Sequence, residues 1–326
     1  MSQFRTSLPT PSYPFDIGHQ TPLLAIGSCF AQHMGQRLQD LQFNLQLNPL
    51  GILYNPVSIA KAIHHLLTPS TFEESELFLH QGLWHSWDHH GQFSHSTPQQ
   101  SLHHINARLQ EAHAQLGQGQ VLLLTLGTAQ VFELRQSGQI VANCHKLPAT
   151  HFRRYRLTVN QIVSVLAKAF KSLAQQCPKL QVVLTVSPIR HIRDGLIESQ
   201  RSKASLILAA GELCEQFDYL HYFPAYEWML DDLRDYRFYA NDMIHPSETA
   251  IDYIWQHFQE AFWSPQSREL AQKIRKVELA SRHRPLHPDS QAHRQFIQKS
   301  LDNIKQLEEK YSFLDFSEAR QRLLSS

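Results

Sequence analysis

Ser28 and Cys29 are neighbours, both able to act as nucleophiles. They stand where the apolar run Leu23-Leu24-Ala25-Ile26 meets Gly27 and a helix-compatible segment, Ala31 to Leu38, begins. A strand that turns at a glycine and runs straight into a helix puts such side chains at the carboxyl edge of an α/β sheet, where ligands bind. The helix start offers free N–H groups and a partial positive charge to an anion. A thiolate attacks esters and thioesters readily, whereas an alcohol needs stronger help from a general base. Near the other end of the sheet-forming sequence, Asp242-x-x-His245 offers such a base, with a carboxylate three residues ahead to hold its tautomer and stabilise the imidazolium. Alone the pair is a weak signal, since one is expected by chance among 21 histidines. Its plainer reading is a turn-capping aspartate and a surface histidine.

The elements that must position these residues follow from periodicity. Val121 to Leu126 and Leu180 to Val186 are continuous apolar runs of the kind found in doubly covered parallel strands. They end in Gly127-Thr128-Ala129 and Ser187-Pro188-Ile189-Arg190-His191. Helical spacing is read over about 31–41, 56–67, 100–115, 159–176 (capped by Thr158), 198–217 and 247–262. Strands alternating with helices of this length predict an α/β sheet, mostly parallel, with helices on both faces. The tips at Gly27, Gly127 and Pro188 and the loop at 242–245 are expected along one edge. Residues 1–20 read as an irregular arm, and 139–156 as irregular and unusually polar. The aromatic and histidine-rich stretch 70–98 reads as an insertion, containing a small hairpin, within a unit spanning 1–265. Beyond it, 266–326 reads as a helical extension divided by a loop at Arg282 to Pro288.

Lys and Arg number 30 against 29 Asp and Glu, a net +1, which argues against nucleic acid or an anionic membrane as the partner. No apolar run approaches the roughly 20 residues that cross a bilayer. Cys29, Cys144, Cys177 and Cys214 lack metal-site spacing and fit free thiols in a reducing cytoplasm. The many histidines share no common spacing, so no metal site is expected, and no cofactor is required. His89, His90, His145, Arg190 and His191 lie in polar strand-tip loops or in the insertion, where they are candidates for substrate contact or are simply satisfied loop side chains.

Gly27-Ser28-Cys29-Phe30-Ala31 spells the signature of the GSCFA family, which the sequence resembles over roughly 20–262. Asn48 to Gly51, Leu126 to Thr128, Asn143 to His145, Ser187 to His191, Ser202 to Ala204 and Asp242 to Ser247 carry the resemblance further. That family is similar to the SGNH (GDSL-like) hydrolases, flavodoxin-like α/β enzymes that cleave or transfer acyl esters. The resemblance implies Asp242 and His245 as orienting acid and base, and Gly27 as the turn before the nucleophile. It also implies Gly51 as a glycine whose N–H points to an oxyanion, and Gly127-Thr128-Ala129 as the block where an asparagine would donate. Two departures stand out. The family register of glycine, any residue, nucleophile falls on Cys29, while the residue type of the wider superfamily favours Ser28. Ala129 replaces the asparagine, a donor whose loss costs on the order of 3 to 4 kcal/mol unless Thr128, Asn143 or a histidine substitutes.

Two functions compete at this stage. One is an esterase, thioesterase or acyltransferase acting on a small-molecule or saccharide-linked acyl group. The other is a non-catalytic α/β module binding a ligand or metal through its histidine-rich loops, with a tail that recruits a partner. Oligomeric state is open.

Overall fold

The computed structural model describes residues 6–325 apart from 69 and 288; the first five residues of the arm and Pro288 of the tail loop lie outside the described residues. Strand β1 (Leu23–Gly27) is buried at every position. Its side chains alternate between two cores, as the period of two requires. Leu24 and Ile26 face one cluster, Leu23 and Ala25 the other.

In chain order, β1 is followed by α1 (Cys29–Asp40), β2 (Leu45–Leu47) and α2 (Pro56–Leu67). Next come β3 (Leu77–His80), β4 (Leu83–Ser86), α3 (Pro98–Gln118) and β5 (Val121–Leu126). Then follow β6 (Gln130–Leu134), β7 (Ile140–Val141), β8 (Phe152–Arg156), α4 (Val159–Gln176) and β9 (Gln181–Val186). The rest is α5 (Gly195–Gln216), β10 (Leu220–Tyr222), α6 (Ala225–Glu227), α7 (Glu248–Phe262), α8 (Pro265–Ser281), α9 (Gln291–Lys310) and α10 (Ser317–Leu324).

The main sheet has the order β10-β9-β5-β1-β2, and every pairing in it is parallel. Counting only its own strands, that is 2-1-3-4-5, the flavodoxin-like arrangement. One face is covered by apolar residues of α2, α3, α4 and α5, the other by those of α1 and α7. Beyond α7 a third apolar cluster, including Leu270, Ile274, Ile304, Leu307 and Phe316, joins α8, α9 and the chain's end, and Leu41 past the end of α1 packs against it. All four cysteines are free. No helix among the described residues is long and apolar enough to cross a membrane.

The structure corrects the reading of 139–156 as irregular. β7 and β8 flank β6 in a separate antiparallel sheet. The arginines of β8 disguise it: the guanidinium of Arg154 lies over Phe132 at 4.9 Å and that of Arg153 over Tyr155 at 4.7 Å, both rings of this small sheet, while Arg156 bonds Ser205 of α5. In 70–98, β3 and β4 form a two-stranded hairpin closed by Gln81 and Gly82, both at positive φ, as a type I′ turn requires.

β1 can turn directly into α1 because Gly27 adopts φ +153 and lies against the backbone of Thr125; a Cβ there would stand 2.5 Å from the Thr125 carbonyl oxygen. Gly27→Ala should therefore cost on the order of 3 kcal/mol through strain and overpacking, read as a lowered urea midpoint. A midpoint equal to the parent's would contradict this account of the turn.

Candidate active site

Backbone hydrogen bonds gather the strand tips along one edge. The Leu53 N–H donates to the Gly27 carbonyl at 2.9 Å, and the N–H groups of Gly127 and Thr128 both donate to the Tyr54 carbonyl at 2.8 and 2.9 Å. The Arg190 N–H donates to the Ile244 carbonyl at 3.1 Å, bringing the 242–245 loop to the tip of β9. Asn48, at φ +43, braces the turn: its Oδ1 accepts from the Gly27 N–H at 2.9 Å and its Nδ2 donates to Gln32.

The two neighbouring nucleophile candidates are treated differently by the helix start. Ser28 is the N-cap of α1 and wholly buried, its Oγ accepting from the Phe30 N–H at 3.3 Å. Its hydroxyl is engaged in capping. Cys29, the first helical residue, is half-buried, and its Sγ lies 3.3 Å from the Tyr54 hydroxyl. The Cys29 N–H has no hydrogen-bond partner among the described residues.

Asp242 and His245 form a tight unit. The His245 Nδ1–H donates to Asp242 Oδ2 at 2.6 Å, and Asp242 Oδ1 accepts from the N–H groups of His245 and Ile244. These bonds hold the Asp242 carboxyl down to about 2. The His245 side chain is 41% exposed and, among the described residues, bonds to neither Ser28 nor Cys29.

Several expected oxyanion donors are otherwise occupied. The Gly51 N–H, expected to point to an oxyanion, donates to the Asn48 carbonyl at 2.7 Å. Gly51 serves a different end, since a Cβ there would lie 2.2 Å from that of His90. The N–H groups of Gly27, Gly127 and Thr128 are spent on Asn48 and Tyr54, and the Thr128 hydroxyl pairs with Ser202. Ala129, in the place of the expected asparagine, gives its N–H to Ser202 Oγ at 2.7 Å. Asn143 uses Oδ1 to accept from the His145 N–H.

The histidines of the insertion and of the 143–145 loop are partly engaged, His89 keeping a buried Nε2 without a partner among the described residues. The His90 N–H donates to the Leu50 carbonyl, and His90 Nδ1 accepts from Gln92. His145 Nε2 bonds to the Ser86 carbonyl at 2.8 Å, and burial pulls its imidazole down to about 4. His89 pairs with Ser86 Oγ and is pulled to about 3 by complete burial. Arg190 lies flat on Tyr239 at 3.9 Å and donates to the Met243 carbonyl. Among the described residues no group of three or more His, Cys, Asp or Glu could hold a metal ion.

His191 lies against Tyr54, whose hydroxyl touches the sulfur. Its ring meets Tyr54 edge-on at 5.5 Å. Burial, with Lys203, His245 and Arg154 nearby, pulls its imidazole down to about 3, and its buried Nε2 has no hydrogen-bond partner among the described residues. Behind it Lys203, fully buried on α5, donates from Nζ to the carbonyls of Gly127 and Ser187 at 2.6 Å each, tying the ends of β5 and β9. Burial lowers its ammonium to about 7. Tyr54 is given no role by the sequence, and Lys203 enters there only within the 202–204 segment that carries the resemblance. A signal for Lys203 existed: it shares the buried face of α5 with Ser199, Leu206 and Ala210.

The model of the GSCFA family matches residues 22–258, and that of the GSCFA domain protein, C-terminal domain, matches 274–326. No curated protein matches the chain. Solved structures similar to it include "a putative platelet activating factor from Streptococcus pneumonia", at 13% identity and a TM-score of 0.42 over 74% of this chain and 83% of that one. That likeness carries no argument about chemistry.

The buried imidazoles have a consequence for stability. His89, His145 and His191 titrate well below an unfolded histidine. Between pH 6.5 and about 4 the unfolded chain therefore binds protons that the folded chain refuses. Stability is retained above pH 6.5 and falls as pH drops through that window, by about 1.4 kcal/mol per pH unit for each such proton. Urea midpoints at pH 7.5 and 5 should differ accordingly; equal midpoints would show that these rings are not held neutral.

Proposed function

The chain belongs to the GSCFA family, and from that premise we propose that it is an acyl-transfer enzyme working through an acyl-enzyme on Cys29, with His245 as base and Asp242 as its orienting acid. The observation that carries this reading is the helix start: Cys29 presents a half-buried sulfur at the sheet's carboxyl edge, while Ser28 is enclosed as the cap. The loop bearing the Asp242–His245 pair is bonded to the same edge through Arg190. His191 is a poor base because its imidazole resists protonation to about 3.

In the first step the Cys29 sulfur bonds to the acyl carbon as its proton passes to His245, and the carbonyl electron pair moves to oxygen. The tetrahedral adduct collapses, the bond to the leaving group breaks, and His245 returns the proton to that group. Water or an acceptor hydroxyl then repeats the sequence on the thioester, freeing the sulfur. Catalytic hydrogen bonds often close only in the substrate complex, and the contact between His245 and the sulfur belongs to that state. We read the substrate as a small or saccharide-linked acyl ester or thioester and the ancestry as SGNH-like.

The exposure of His245 favours a second reading, a ligand-binding module without turnover. Mass-spectrometric mapping after treatment with a reactive acyl ester separates the two. The enzyme reading expects acylation at Cys29 and a loss of at least 10³-fold in Asp242→Asn. It also expects full labelling in Ser28→Ala, which loses about 1 kcal/mol of cap stability. Acylation at Ser28 would move the nucleophile, and an unlabelled, folded protein would support the module.

A further inference from the structure

A thioester-forming enzyme must hold the negative charge that develops on the carbonyl oxygen, and here the usual backbone donors are committed elsewhere. The N–H groups of Gly27, Gly51, Gly127 and Thr128 all serve Asn48 or Tyr54, and Ala129 has no side-chain donor. We propose, resting on the acyl-enzyme reading above, that the oxyanion is held chiefly by side chains: the Tyr54 hydroxyl and the His191 Nε2–H, beside the free Cys29 N–H.

Tyr54 qualifies by contact. Its hydroxyl lies 3.3 Å from Cys29 Sγ, so an oxygen on a carbon bonded to that sulfur falls within its reach. Burial and the neighbouring sulfur push its phenol up, so it stays a donor through the working pH range. His191 qualifies by what it lacks. A buried ring nitrogen without a partner costs about 1 to 3 kcal/mol; among the described residues His19, His80, His89 and His293 carry one too, but only that of His191 belongs to a ring in contact with Tyr54. With the proton on Nε2 the nitrogen is a donor awaiting an acceptor, and the oxyanion would supply one. The edge-on contact sets the ring against that of Tyr54, with centroids 5.5 Å apart. Burial and the cations around His191 keep it neutral, which suits a donor that must not take up the proton itself. Preorganised donors of this kind act where charge develops and pay no reorganisation at that moment.

Two reactions at one sulfur test the proposal. Acylation by p-nitrophenyl acetate forms an oxyanion; alkylation by iodoacetamide, a displacement at carbon, forms none. Tyr54→Phe and His191→Ala should each lower the burst of p-nitrophenol by about 10²- to 10³-fold, while iodoacetamide labels Cys29 at close to the parent rate. His191→Gln, which keeps an N–H, should recover much of the loss. Variants that acylate at the parent rate would overturn the side-chain oxyanion hole and leave the acyl-enzyme intact. Equal losses in both reactions would also overturn it, by showing that the residues merely shape the thiol's surroundings. A parent protein alkylated at Cys29 but never acylated would overturn both this proposal and the acyl-enzyme.

Discussion

The approach of Gly27 to the backbone of Thr125 sets where the Ser28–Cys29 turn can stand. With φ +153 and no Cβ, the last residue of β1 lies flat against β5, and the next residue already caps a helix. Asn48 locks the arrangement by taking the Gly27 N–H and by accepting the left-handed backbone that asparagine tolerates. The sulfur of Cys29 therefore emerges at a fixed height above the sheet. The neighbouring strand tips reach that height because Tyr54 bonds to Gly127 and Thr128, and Lys203 to Gly127 and Ser187. Few of these bonds belong to a regular element, yet they hold the strand tips together.

Much of this was legible in the sequence. Continuous apolar strands broken at Gly27, Gly127 and Pro188 announce a parallel sheet, because burial on both faces leaves no room for alternation. The helix cap at Thr158 read directly, since a threonine ahead of an apolar-periodic run supplies a side-chain oxygen to a first-turn N–H; the capping roles of Ser28 and Ser247 emerge only from the fold. The small antiparallel sheet did not read directly, because Arg153 and Arg154 look like solvated loop until their guanidiniums are seen over Tyr155 and Phe132. At the site, Asp242 and His245 could be paired from spacing alone. The role of Gly51 could not. Its glycine is demanded by the Cβ of His90, 39 residues on, a contact that no local pattern encodes. Tyr54 escaped for the same reason, because it matters through Gly127 and Thr128, far away in the chain.

The edge also concentrates polar burial. Lys203 is enclosed with two carbonyls and no carboxylate, and His191 is enclosed with an unmatched nitrogen. Burying such groups opposes folding. The two clusters that sandwich the sheet, from Leu24 and Ile26 on one side to Leu23 and Ala25 on the other, supply the compensating apolar burial. Placing the cost at strand tips keeps it out of the ladder, where an unpaired group would break cooperative pairing.

The fate of Ser28 and Cys29 carries a lesson about reading paired letters. Ser28, still extended as the cap, turns its hydroxyl inward to the Phe30 N–H, and Cys29, the first helical residue, leaves its thiol half-buried against Tyr54. Which of two adjacent atoms can meet a partner molecule is thus decided by placement before intrinsic reactivity has any say. Exchanging the two letters would not exchange their duties: a cysteine placed at 28 would be sealed in and a poor cap, and a serine at 29 would inherit the opening without the sulfur.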